Sequence, residues 1–156
     1  MKRLLALIVS HSLIGVAGFS LGIYALPILI APPAMPMAQL TSMLGEAEFE
    51  GRFNRDLKGS DFLHWGEGTA YVSRTAVFLE GKLAPGPDYK LYLSPEFLET
   101  EAEFLRLKPD MVRVGDVKTF ENAIVAVPKD INLQEFNTVI VWCETFGQFI
   151  TAAQYR

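Results

Sequence analysis

The sequence predicts an all-β domain, an antiparallel β-sandwich or flattened barrel of seven to eight strands, preceded by one N-terminal transmembrane helix. Three observations carry that prediction. From Glu46 onward, apolar and polar residues alternate with period two in short runs. Clusters of Gly, Pro, Asn and Asp punctuate those runs. Before them, residues 4–31, LLALIVSHSLIGVAGFSLGIYALPILIA, hold no acidic or basic side chain other than His11.

The apolar stretch comes first. A helix from Leu4 to Leu26, stopping before Pro27, is about 34 Å long at 1.5 Å per residue. That length covers a hydrocarbon core of roughly 30 Å. The run exceeds the apolar region of a secretory signal, about 7–15 residues. Proline also occupies the −3 position of both candidate cleavage points, after Ala34 and after Ala38. The segment therefore reads as an uncleaved signal anchor spanning residues 1–31. Lys2 and Arg3 precede it and the next basic residue is Arg52, so the positive-inside rule keeps the N-terminus cytoplasmic. The rest is exported, which in a bacterium means the periplasmic side of the inner membrane in a single-pass topology. Within the span, Gly18 and Gly22 form a GxxxG pattern that can pair helices. His11 is expected neutral against a polar partner.

Residues 32–45 read as a Pro- and Met-rich tether without the pattern of a packed element. Residues 46–156 form the domain. They carry all 18 acidic residues and 12 of the 14 basic ones, a net charge of −6. That balance, with no basic cluster, argues against nucleic acid as a partner.

The strands follow in order. AEFEGRF sets Phe49, Gly51 and Phe53 on one face and Glu48, Glu50 and Arg52 on the other. TAYVSR and TAVFLEGKL continue with β-branched and aromatic residues, and Pro85, Gly86 and Pro87 break the chain before DYKLYLS. MVRVGDV, NAIVAVP, NTVIVWCETF and QFITAAQY complete the set. Only residues 94–107, SPEFLETEAEFLRL, read as irregular or short helix. Short strands at this density, with no internal repeat, indicate a sandwich or barrel.

The chemistry-bearing residues are few. Zinc needs three or four suitable ligands, and the domain offers Cys143 and His64, so no metal site is expected. NRDLKGSDFLHW has Asn54, Asp56 and Gly59 at calcium-loop offsets, but Lys58 and Trp65 stand at ligand positions. Gly66 and Gly68 precede no helix and make no phosphate cradle. Cys143, the sequence's only cysteine, alternates with Val139 and Val141 and so faces inward, with Trp142 and Glu144 on the opposite face. It is either a small buried hydrophobe or a reactive thiol, and an unpaired thiol in an oxidising compartment is unusual. No CxxCH is present for attached haem. His64, the domain's only histidine, is either a turn or packing residue or a group that supplies a proton or a second ligand to the Cys143 site.

EFEGRF, LHWGEGTAYV, VFLEGKLAPGPDYKLYL, VRVGDVKTFENAIVAVP and NTVIVWCETFGQFITAAQY together resemble the DM-thirteen domain family over about residues 46–156. Its most specific pieces here are GPDYKLYLS and VIVWC followed by Phe146, while FENAIVAVP departs from the expected pattern. The family is a small β-rich extracytoplasmic module, found alone in bacteria and beside cytochrome-like domains in animal cell-surface proteins. The resemblance implies electron transfer centred on a cysteine, here Cys143, as naked thiol or haem ligand. His64 is implied as its partner. Trp142 is a further candidate for cofactor contact.

Three functions follow from these residues. The first is a membrane-anchored redox domain working through Cys143, as thiol or haem thiolate, with a redox partner in the envelope. The second is a non-catalytic binding module that meets another envelope protein through loops such as residues 85–88. The third is a hydrolase using Cys143 and His64.

Overall fold

The computed structural model describes residues 1–156, apart from the side chains of residues 40 and 42. Helix α1 (Lys2–Ile30) leads to a shorter helix, α2 (Met37–Leu44). Eight strands follow: β1 (Phe49–Phe53), β2 (Gly66–Val72), β3 (Ala76–Leu83), β4 (Tyr89–Ser94), β5 (Val112–Val117), β6 (Glu121–Ala126), β7 (Thr138–Cys143) and β8 (Gln148–Gln154). Helix α3 (Glu101–Leu107) lies between β4 and β5. The strands make two four-stranded sheets, ordered β1-β2-β3-β6 and β5-β4-β7-β8, with every pairing antiparallel. The domain is a β-sandwich. Its core takes alternate residues from both sheets, including Val72, Val77, Leu91, Val139, Val141 and Ile150.

The outer faces are covered differently. On the second sheet, Tyr92, Ile140, Trp142 and Phe149 lie beneath Phe104 and Leu107 of α3. Strand β7 is thus buried on both faces, and all six of its residues are inaccessible. That double cover accounts for the near-continuous apolar run TVIVWC, where a half-exposed strand would alternate. Helix α3 starts with a capping box: Thr100 Oγ1 accepts from Glu103 N–H, and the Glu103 carboxylate accepts from Glu99 N–H at 2.9 Å.

Two segments differ from the sequence expectation. Helix α1 does not stop at Leu26 but runs through Pro27 to Ile30. It is long and apolar enough to cross a membrane. Proline is tolerated inside such helices, where surrounding groups or local adjustment satisfy the freed carbonyl. Along it, His11 Nδ1 lies 2.8 Å from the Leu7 carbonyl oxygen, and Gly18 and Gly22 have open space around them. The expected tether also contains structure. Residues 31–36 connect α1 to α2, and Met35, Met43 and Leu44 pack on Ala76, Phe78 and Tyr71 of the first sheet's outer face. Methionine's flexible side chain suits such irregular contacts, which leave no periodic pattern in the sequence.

Candidate functional site

At one end of the sandwich β4 begins, β7 ends and β8 begins, so Tyr89, Cys143 and Gln148 come together by register. Tyr89 pairs with Cys143 across β4 and β7, and Cys143 pairs with Gln148 across β7 and β8. A cavity of about 420 Å³ opens there. Cys143, Tyr89 and Ile150 border it from the second sheet, Leu63 and His64 from the loop before β2, and Pro85 and Pro87 from the β3–β4 connection. Phe146 of the β7–β8 turn closes one side, and Ser20, Ile23 and Tyr24 of α1 another.

Cys143 is 3% exposed and unpaired. Its Sγ donates to the Pro87 carbonyl oxygen at 3.0 Å. Burial pushes the thiol pKa up, the backbone N–H groups of Phe146 and Thr145 pull against this, and the carboxylates of Asp88 and Glu144 reinforce the rise. The sulfur therefore rests as a protonated thiol. Tyr89 is equally buried, and its hydroxyl donates to the Ala84 carbonyl at 2.8 Å. Gly86 permits this contact, since a Cβ there would stand 2.4 Å from the Tyr89 hydroxyl.

His64 is held by its own loop. Asp61 Oδ1 accepts from the N–H groups of Leu63 at 2.7 Å and His64 at 2.8 Å, while Asp61 Oδ2 accepts from His64 Nδ1 at 2.9 Å. Burial works to raise the Asp61 carboxyl pKa, but these hydrogen bonds outweigh it and hold the group low. With Nδ1 turned to the Asp61 carboxylate, Nε2 is the ring nitrogen outside that pairing.

The structure thus brings Cys143 and His64 to one cavity and leaves Trp142 out of it. Trp142 lies on the other face of the second sheet, stacked on Phe104 with ring centroids 3.8 Å apart. Sequence reasoning missed Tyr89, Leu63, Phe146 and Tyr24 as site residues. Of these, Tyr89 had a signal in the GPDY turn and Phe146 in the residues that carry the family resemblance; Leu63 and Tyr24 converge only through tertiary structure. Among the described residues, no group of three His, Cys, Asp or Glu side chains is placed to hold a metal ion.

For a haem thiolate, iron would have to take the place of the proton that Cys143 Sγ donates to the Pro87 carbonyl oxygen, in a cavity toward the small end of the range for small-molecule sites, about 300–1,000 Å³.

Outside the cavity, the paired ends of β4 and β5 are tied together by charge. Lys90 Nζ bridges Asp88 Oδ1 at 2.5 Å and Asp116 Oδ1 at 2.9 Å, and Thr145 Oγ1 donates to Asp88 Oδ2 at 3.0 Å. The Lys90 ammonium holds both carboxyls below their ordinary value of 3.8, and they in turn raise Lys90 above 10.5. Depressed carboxyls contribute stability that is present above their unfolded pKa and lost as pH falls through the folded one. The raised lysine contributes below 10.5 and loses that contribution as pH climbs through its folded value. The urea midpoint should therefore stay level near neutrality, fall at pH below 3.8 and fall again in strong alkali. Asp88→Asn should flatten part of the acid limb; an unchanged limb would mean that the Lys90 bridge does not form in solution.

Compared with known proteins, the chain matches the family profile described as Electron transfer DM13 over residues 53–155. No curated protein and no solved structure matches it.

Proposed function

The chain belongs to the electron transfer DM13 family, and on that premise we propose that it is a membrane-anchored redox domain whose working group is the Cys143 thiol. The observation that carries this reading is the meeting of Cys143 and His64, far apart in sequence, at one cavity. Helix α1 serves as the anchor, with Lys2 and Arg3 on the cytoplasmic side and the domain outside the inner membrane.

The step that suits a small cavity is two-electron oxidation by a peroxide, for which the thiol must first give up its proton. An S–O bond forms as the peroxide O–O bond breaks, giving a sulfenic acid at Cys143 and an alcohol or water. His64 Nε2 takes the thiol proton and passes it to the leaving oxygen. A dithiol of a redox partner then returns the sulfur to the thiol, forming a mixed disulfide with loss of water and resolving it with the second thiol.

One observation favours the alternative, a binding module with an inert cysteine. The thiol is almost wholly buried and satisfied by Pro87. A single experiment separates the two readings. The full chain in detergent is exposed to hydrogen peroxide with dimedone present, and peptides are read by mass spectrometry. The redox reading expects a sulfenic adduct on Cys143 of the folded protein, slower in His64→Ala. Labelling that appears only after denaturation would establish Cys143 as a core residue and leave the binding module.

A further inference from the structure

The anchor sets the level at which the Cys143 cavity opens. Helix α1 has 29 residues, and at 1.5 Å per residue it is roughly 43 Å long. A hydrocarbon core is about 30 Å thick, so the helix outruns it by several residues. Lys2 and Arg3 stay out of the hydrocarbon and fix the inner end. About twenty residues further on, the outer boundary falls near Ile23 and Tyr24. A tyrosine suits that boundary, where its ring meets lipid and its hydroxyl meets water. Ser20, Ile23 and Tyr24 are also the α1 residues that border the cavity. The cavity end of the domain therefore lies against the helix at the depth where the helix leaves the bilayer.

The surface at that end is apolar. Phe62 is 83% exposed, Phe146 50% and Leu63 40%. Isolated exposed side chains of this kind are ordinary. Here they come from two loops, and Leu63 and Phe146 share the cavity border with Tyr24. The nearest charge on the first loop, Asp61, is paired with His64 and the loop's own N–H groups while its side chain stays half exposed, as a group at the headgroup level can. An apolar rim beside an anchor matches the surface of an interfacial membrane element.

We propose that Phe62, Leu63 and Phe146 insert into the outer leaflet of the bilayer at the headgroup boundary, so that the Cys143 cavity opens toward lipid and not toward bulk water. The inference rests on α1 being the membrane anchor described above, and it stands whether or not Cys143 is redox-active.

Site-directed spin labelling tests it in the full chain, reconstituted in phosphatidylcholine vesicles. Single cysteines replace Leu13, Phe62, Phe146 and Lys129 in a Cys143→Ser background. Lys129 is exposed and follows β6 at the opposite end of the sandwich. Power saturation compares oxygen, which concentrates in lipid, with a water-soluble nickel chelate. Labels at positions 62 and 146 should favour oxygen over the chelate several-fold, as the label at position 13 does, and the label at position 129 should show the reverse. If 62 and 146 behave like 129 while 13 remains in lipid, the rim is not inserted and the proposal falls with the anchor intact. If 13 is also aqueous, anchor and rim fall together. Should Cys143→Ser misfold, Phe146→Trp in the native background gives the same comparison. Its added emission should be quenched by lipids brominated near the headgroup, and that from Lys129→Trp should not; equal quenching overturns the proposal.

Discussion

A Gly68→Ala chain should lose about 2–4 kcal/mol of stability, read as a fall in the urea midpoint. Gly68 has φ +131° and faces Gly81, φ +142°, in the register of β2 and β3. A Cβ on Gly68 would stand 2.0 Å from the Glu80 carbonyl oxygen and 2.7 Å from the Gly81 Cα. Both neighbours are backbone, so no side chain can swing aside. The strain is that of an L-residue in glycine's region of conformational space, with a direct clash added. Gly45→Ala is the control. Gly45 has φ −62° and open space around it, and its replacement should leave the midpoint in place. A wild-type midpoint for Gly68→Ala would show that β2 and β3 do not meet in this register.

The second large effect lies beneath α3. Trp142 is 1% exposed and lies nearly parallel to Phe104, with an interplanar angle of 8°. Truncation to alanine removes the stack and leaves a cavity that strand β7 cannot collapse, because its other face is the sandwich core. Trp142→Ala should cost about 3–5 kcal/mol. Trp142→Phe should cost much less, since it keeps an aromatic ring and removes an indole N–H that has no hydrogen-bond partner. Because Trp142 lies off the cavity, folded Trp142→Phe should form the Cys143 sulfenic adduct at the wild-type rate. Slower labelling in a fully folded Trp142→Phe would tie the indole to the site.

These two positions also show how far the sequence could be read. Alternation placed Val139, Val141 and Cys143 together on an inward face, and the sandwich core contains all three. The same alternation put Trp142 on the opposite face, but could not say that a helix covers it. Cover is a tertiary property, and its local sign was Thr100 with Glu103 three residues on, the spacing of a capping box. Helix α2 was harder to see, because it packs on the sheet only through Met43 and Leu44 at its end, without amphipathic repetition. Pro27 looked like a stop, yet an apolar helix can carry proline through. At the site, GPDY marked the turn that brings in Tyr89. Leu63, Phe146 and Tyr24 share no local pattern, being joined by the folding of two loops against α1.

The place of β7 in the chain has a kinetic consequence. It lies between β4 and β8 in the second sheet, yet occupies residues 138–143 of 156. A chain made and delivered N-terminus first holds β4 and β5 without their neighbour until residues 138–143 have appeared. From then until the strand docks, the sulfur of Cys143 lacks its cover from Pro87 and Tyr89. With one cysteine in the chain, no internal mispairing can occur. Every disulfide formed before closure is an intermolecular bond, which one exchange with a free thiol reverses. Covalent dimer is thus the mark of a chain that closed too slowly, and its yield acts as a clock on the final step of folding.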